Sequence, residues 1–342
     1  MLYSTYSALL RSISCSVSLL LASFLAFFGA PVCFRSIRSL TTMTFQHKSI
    51  TDLGYGFNSV GELRQIDKET NKLTELPFQF HLTENHSENQ KHYELLGEAI
   101  TDYVYGLLKS EGLIQLPVPK NAAPDQVKSF IFATEDALTN PEKLIVLIHG
   151  SGVVRAGQWA RSIIINTNIE AGTQLQYIAK CRSLGYGVIV LNANDNQRTV
   201  DDRNFLIPHS STPEEHAISV WKDYIANAKA KFIGIVAHSY GGVVTLKLAH
   251  AFPDFFDRVR AIAMTDSVHS FRREAVSSNV EVILRHIGRN WVSSHDVLDV
   301  PQKAPEYEIP RFSAGHPKHG MTSHSAFASV MRFFEARWNQ YR

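Results

Sequence analysis

Phe232-Ile233-Gly234-Ile235-Val236-Ala237-His238-Ser239-Tyr240-Gly241-Gly242 is an apolar, β-branched run that stops abruptly at a serine between small residues. The pattern then turns helical from Val243 to Phe252. This layout predicts a nucleophile elbow, a tight strand-to-helix turn that holds a serine hydroxyl clear of a sheet. The positions two before and two after the serine must be small, because strand and helix approach too closely there for bulk. Gly241 meets that condition outright, and Ala237 stands where a first glycine is usual.

Working outward, strands and helices alternate. Leu144-Ile145-Val146-Leu147-Ile148 is continuously apolar, as a strand buried on both faces must be. Further strands are expected at Ser129 to Ala133, Gly187 to Leu191, Val259 to Met264, Asn290 to Ser293 and Arg311 to Ala314. Helices are expected at Lys91 to Lys109, Thr173 to Leu184, Pro213 to Ala228, Arg273 to Ile287 and Ser325 to Trp338. Thr212-Pro213-Glu214-Glu215 combines a capping residue with proline at the first helical position. Short strands and turns are expected over 55–80, including Leu76 to Phe80, and a proline-rich loop at Pro117, Pro119 and Pro124. The alternation implies an α/β fold, a doubly wound, mostly parallel sheet of α/β-hydrolase type, as a single domain over 44–342.

The first 43 residues read differently. Residues 1–51 carry Arg11, Arg35, Arg38 and Lys48 but no acid, and Val17 to Phe34 is largely apolar. This is the composition of a signal peptide, a signal anchor or a presequence, with Met43 as an alternative start. Such a leader implies secretory entry or membrane contact through that segment alone. The rest of the chain sums to −2 within a net charge of +2, so no basic stripe argues for direct nucleic-acid binding. Cys181 is the one cysteine outside the leader and cannot form an internal disulfide.

Serine needs a base to take its proton, and the base needs a third group to orient it. In this fold the chain order is Ser, acid, His, each beyond the carboxyl end of a strand. With Ser239 as nucleophile, the loop Gly315-His316-Pro317-Lys318-His319-Gly320-Met321 supplies the base, His319 by preference over His316 and His324. His238 is excluded because its side chain points away from the hydroxyl. The acid is Asp266, after Ala261 to Thr265, with Asp296 as the alternative. The oxyanion donors are the Tyr240 N–H and the Ser151 N–H of His149-Gly150-Ser151-Gly152, with His149 supporting the loop. Arg155 and Trp159 border the pocket, unless Arg155 and Arg161 only form ion pairs on a helix. No cofactor is called for, and no metal, since His316, His319 and His324 lack a carboxylate-bearing motif.

Long stretches carry a family resemblance. They are Glu135 to Pro141, Leu147 to Arg161, Ala237 to Gly242, Thr265-Asp266-Ser267-Val268-His269, Asn290 to Ser294, and Ser313-Ala314-Gly315 with His319. The chain closely resembles the cotranscriptional-regulator branch of the Argonaute-binding Arb-two domain family. The resemblance implies an α/β-hydrolase-like fold and puts Asp266 and His319 at family motif positions. It further implies Argonaute, chromatin or spliceosome-associated partners, small-RNA silencing or splicing roles, and a nuclear or cytoplasmic location. Two functions therefore compete: a serine hydrolase acting on an unknown acyl substrate (ester, thioester or amide), and a non-catalytic binding module.

Overall fold

The computed structural model describes residues 48–341, so the apolar leader lies outside the described residues. Thirteen strands occur among the described residues: β1 (Tyr55–Phe57), β2 (Leu63–Gln65), β3 (Leu113–Val118), β4 (Ser129–Thr134), β5 (Lys143–Ile148), β6 (Gly187–Val190), β7 (Gln197–Val200), β8 (Arg203–Leu206), β9 (Phe232–His238), β10 (Val259–Thr265), β11 (Gly288–Val292), β12 (Pro301–Gln302) and β13 (Arg311–Ser313). Nine form one sheet in the order β12-β13-β11-β10-β9-β5-β6-β4-β3. The centre, from β13 through β11, β10, β9 and β5 to β6, is parallel. Both edges are antiparallel, at β12–β13 and at β6–β4–β3. The fold is the expected doubly wound α/β class.

The helices are α1 (His86–Ser110), α2 (Arg161–Asn166), α3 (Ile169–Gly172), α4 (Leu175–Ser183), α5 (Pro213–Val220), α6 (Gly241–Ala251), α7 (Phe255–Arg258), α8 (Ser278–Ile287), α9 (Thr322–Ser325) and α10 (Phe327–Asn339). They cover both faces of the sheet, and strand side chains sort between the two by the two-residue period. Ile145 and Leu147 of β5 and Val236 of β9 join one core with α1, α4 and α10. Leu144, Val146 and Ile148 of β5, with Ile233 and Ile235 of β9, join the other with α5, α6 and α8. Among the described residues no helix is long and apolar enough to cross a membrane.

Several local expectations are corrected. The proline-rich segment is partly strand β3: Pro117 lies on the outermost strand, where a missing N–H costs no ladder bond. Leu76 to Phe80 is not a strand, and α8 starts at Ser278 instead of Arg273. The helix from Pro213 continues from α5 into a π-helical stretch, Trp221–Ile225. Thr212 caps α5 as expected, its Oγ1 accepting from the Glu215 N–H at 3.1 Å.

Candidate active site

Because the central strands are parallel, their carboxyl ends lie along one edge, where the loops can converge. Ser239 follows β9 with φ +52°, a left-handed conformation that costs a non-glycine residue about 1–3 kcal/mol. Its backbone N–H donates to Thr265 O on β10 at 3.0 Å, which ties the elbow to the neighbouring strand. The need for a small residue two places later is visible directly. A Cβ on Gly241 would lie 2.6 Å from Ile148 O and 2.9 Å from His149 O.

Asp266 follows β10 and also has positive φ, +48°. Its Oδ2 is 2.8 Å from His319 Nδ1, and its Oδ1 accepts from the Ser293 N–H at 3.2 Å. A carboxylate only accepts, so Nδ1 of His319 carries a proton, and Nε2 is the acceptor in the neutral tautomer. Burial pushes the Asp266 carboxyl up, but the bonds from His319 and Ser293 outweigh it and hold the group below its usual value. The imidazole of His319 is 51% exposed and opens a 3₁₀ turn, His319–Met321, leading into α9.

Asp296, the alternative acid, is engaged elsewhere. Its Oδ2 accepts from Gln302 Nε2 at 2.7 Å, while His319 Nδ1 is bonded to Asp266. His316 Nδ1 accepts from the Lys318 N–H at 3.0 Å, so it holds its own loop. His238, excluded as a base, nevertheless packs on the candidate one: its ring centroid is 4.6 Å from that of His319. Burial, the largest cause, lowers its pKa to about 3, so it is neutral.

The loop after β5 lies against Ser239, the candidate nucleophile. A Cβ on Gly150 would be 3.0 Å from Ser239 Cβ and 3.5 Å from Ser239 Oγ. Among the described residues no acceptor takes the Tyr240 N–H or the Ser151 N–H. His149 is buried, Nδ1 2.8 Å from Gly150 O, and burial lowers its pKa to about 4. Asn194, which sequence reasoning missed, donates to Gly150 O at 2.9 Å and Val154 O at 3.1 Å. Only its place just beyond β6 hinted at this role.

The pocket-border expectations change. Trp159 is 2% exposed and packs edge-on against Tyr177 and His238, so it supports the elbow from within the core. Arg155 sits half-buried in a loop, donating to Val154 O at 3.1 Å. Arg161 is buried at the start of α2, over the Tyr93 ring at 5.0 Å, and among the described residues neither it nor Arg155 pairs with an acid. Among the described residues Ser239 Oγ has no hydrogen-bond partner, and His319 Nδ1 is held by Asp266.

A family model described as the Arb2 domain matches residues 46–298. The chain is 39% identical over 331 residues to the Cotranscriptional regulator ARB2A of Homo sapiens, covering 82% of this chain and 78% of the relative. It is 36% identical over 296 residues to the FAM172 family protein homolog Y75B8A.31 of Caenorhabditis elegans, covering 84% and 87%. Solved structures align more loosely. A histone deacetylase from Saccharomyces cerevisiae gives 13% identity and a TM-score of 0.47 over 71% of this chain and 97% of that one. Naproxen esterase from Bacillus subtilis gives 12% and 0.38 over 69% and 98%.

Proposed function

The chain belongs to the Arb2 domain family, and from that premise we propose that it is a serine hydrolase cleaving an ester, thioester or amide through an acyl-enzyme. One observation carries the reading. The 2.8 Å bond from His319 Nδ1 to Asp266 fixes the ring so that Nε2 is the acceptor of the neutral imidazole, on a ring packed against His238, the residue before the strained Ser239. Ser239 Oγ attacks the substrate carbonyl carbon while its proton passes to His319 Nε2. The tetrahedral oxyanion is received by the unengaged Tyr240 and Ser151 N–H groups. His319 then protonates the leaving alcohol, thiol or amine, and water repeats the sequence to release the acid and restore Ser239. The Asp266 carboxylate holds the ring and stabilises the imidazolium.

A fluorophosphonate probe tests this. Wild type is expected to be labelled and Ser239→Ala not; equal labelling of both overturns the mechanism. The second reading is a binding module for an Argonaute or chromatin-associated partner in the nucleus. It is supported by the names of the relatives, cotranscriptional regulators, and by the absence of a Ser239 Oγ bond to His319. Under it, Ser239→Ala leaves partner capture and cellular function intact.

A further inference from the structure

Three buried polar side chains, each close in sequence to a candidate catalytic residue, are bonded to one another. His238 precedes Ser239, Thr265 precedes Asp266, and Ser323 follows His319 on α9. His238 Nδ1 is 2.9 Å from Thr265 O and 3.2 Å from Thr265 Oγ1, and Thr265 Oγ1 is 2.7 Å from Ser323 Oγ. Their exposures are 3%, 0% and 0%. We propose that His238, Thr265 and Ser323 form a positioning bridge that sets the relative placement of Ser239, Asp266 and His319.

The chemistry of the bridge is specific. A carbonyl oxygen only accepts, so His238 carries its proton on Nδ1 and its tautomer is determined. The same Thr265 carbonyl accepts the Ser239 N–H at 3.0 Å, so one oxygen anchors both the elbow residue and its neighbour. Tyr177 OH donates to Ser323 O at 2.7 Å, which pins α9 to α4. The ring of His238 then abuts His319, 4.6 Å between centroids, while Trp159 backs His238 at 6.2 Å. Burial keeps His238 neutral, so no second cation faces His319 when it takes a proton.

Location argues against ordinary core polarity. β9 runs Phe-Ile-Gly-Ile-Val-Ala before His238, and β10 is apolar from Ala261 to Met264 before Thr265. In β9 the one polar side chain is the last residue, and in β10 the only one besides Arg260, near the strand's start, is the last residue. Apolar packing is non-directional and permits small slides, whereas hydrogen bonds fix register. Catalytic groups must be held to within about 0.5 Å, and a directional contact between the three segments adds to packing the restraint that requires. The roles assigned to Ser239, Asp266 and His319 rest on the hydrolase reading.

Full-length protein labelled with ¹⁵N-histidine tests the bridge by NMR, following the His319 Nδ1 proton shared with Asp266. That resonance is identified by its loss in Asp266→Ala. Thr265→Val and Ser323→Ala are each expected to shift or broaden it in a folded protein, and Thr265→Ser to restore it. Where wild type reacts with fluorophosphonate, both variants should lose about tenfold or more in kinact with KI unchanged. The double variant should lose no more than the worse single one, because one bridge is broken either way. Ser323→Ala lies on a four-residue helix and keeps the test available if Thr265→Val fails to fold. A wild-type resonance in folded Ser323→Ala, or additive losses in the double variant, overturns the bridge. If wild type is not labelled at all, the hydrolase reading fails while the resonance still decides the bridge.

Discussion

Mild acid should destabilise this protein steeply, well before its carboxylates titrate. His149, His216, His238 and His269 are all at most 3% exposed. Burial is the largest cause in each and lowers their pKa values to about 4, 3, 3 and 3. Unfolded, each titrates near 6.5, so between roughly pH 6.5 and 4 the unfolded chain binds protons that the native state refuses. For a base depressed in this way, stability is full above the unfolded value and is lost as pH falls below it. At pH 5.5 each histidine costs about 1.4 kcal/mol, and the four together about 5 kcal/mol relative to pH 7.5. That is comparable to the whole stability of a typical domain, ~5–15 kcal/mol. The carboxylates held low, Asp52, Asp67, Asp266 and Asp299, act only below about pH 4 and lie outside this window. Urea unfolding at half-unit steps from pH 7.5 to 5 measures the slope. About four protons should be taken up on unfolding near pH 5. His216→Gln, whose amide oxygen can still accept the Asn192 N–H that His216 Nε2 accepts at 3.2 Å, should remove about one of them. A total change below about 1.4 kcal/mol, or an unaltered slope in His216→Gln, refutes the reasoning.

The site makes further predictions. Ser239→Gly should abolish fluorophosphonate labelling yet raise thermal stability by about 1 kcal/mol, since glycine tolerates φ +52°; a less stable variant would show that the elbow is not strained. Gly241→Ala forces a methyl against Ile148 O and His149 O, so a loss of about 1–3 kcal/mol with loss of labelling is expected, and neutral behaviour in both would contradict the packing. Asp266→Asn should slow labelling by about 10⁴-fold and Asp296→Asn hardly at all, with the reverse order identifying the wrong acid. Asn194→Ala frees the Gly150 and Val154 carbonyls and should slow labelling by about 10²-fold through a loosened oxyanion loop, which stopped-flow labelling would measure.

Particular residues show how far a sequence can be read. The run Leu144 to Ile148 announced a central strand because burial on both faces leaves no polar position, and the structure buries every residue of it. Gln197 to Leu206 gave no such signal. Its strands are exposed, and its turn rests on the left-handed Asp201 and Asp202, at φ 49° and 58°. Pro117 disguised β3 because its cost depends on whether the strand is an edge, a property of the assembled sheet. Asp266 and Asp296 both follow strands, and spacing along the chain could not separate them.

The turn at Ser239 and the two-sided sheet were determined by sequence alone, because steric demand and burial leave local traces in residue size and hydropathy. Which carboxylate meets His319, where the ring of His238 rests, and how Thr265 and Ser323 meet were decided only by tertiary structure. Those contacts join segments 27 to 58 residues apart, and their directions depend on how each loop leaves its strand, which no local pattern records.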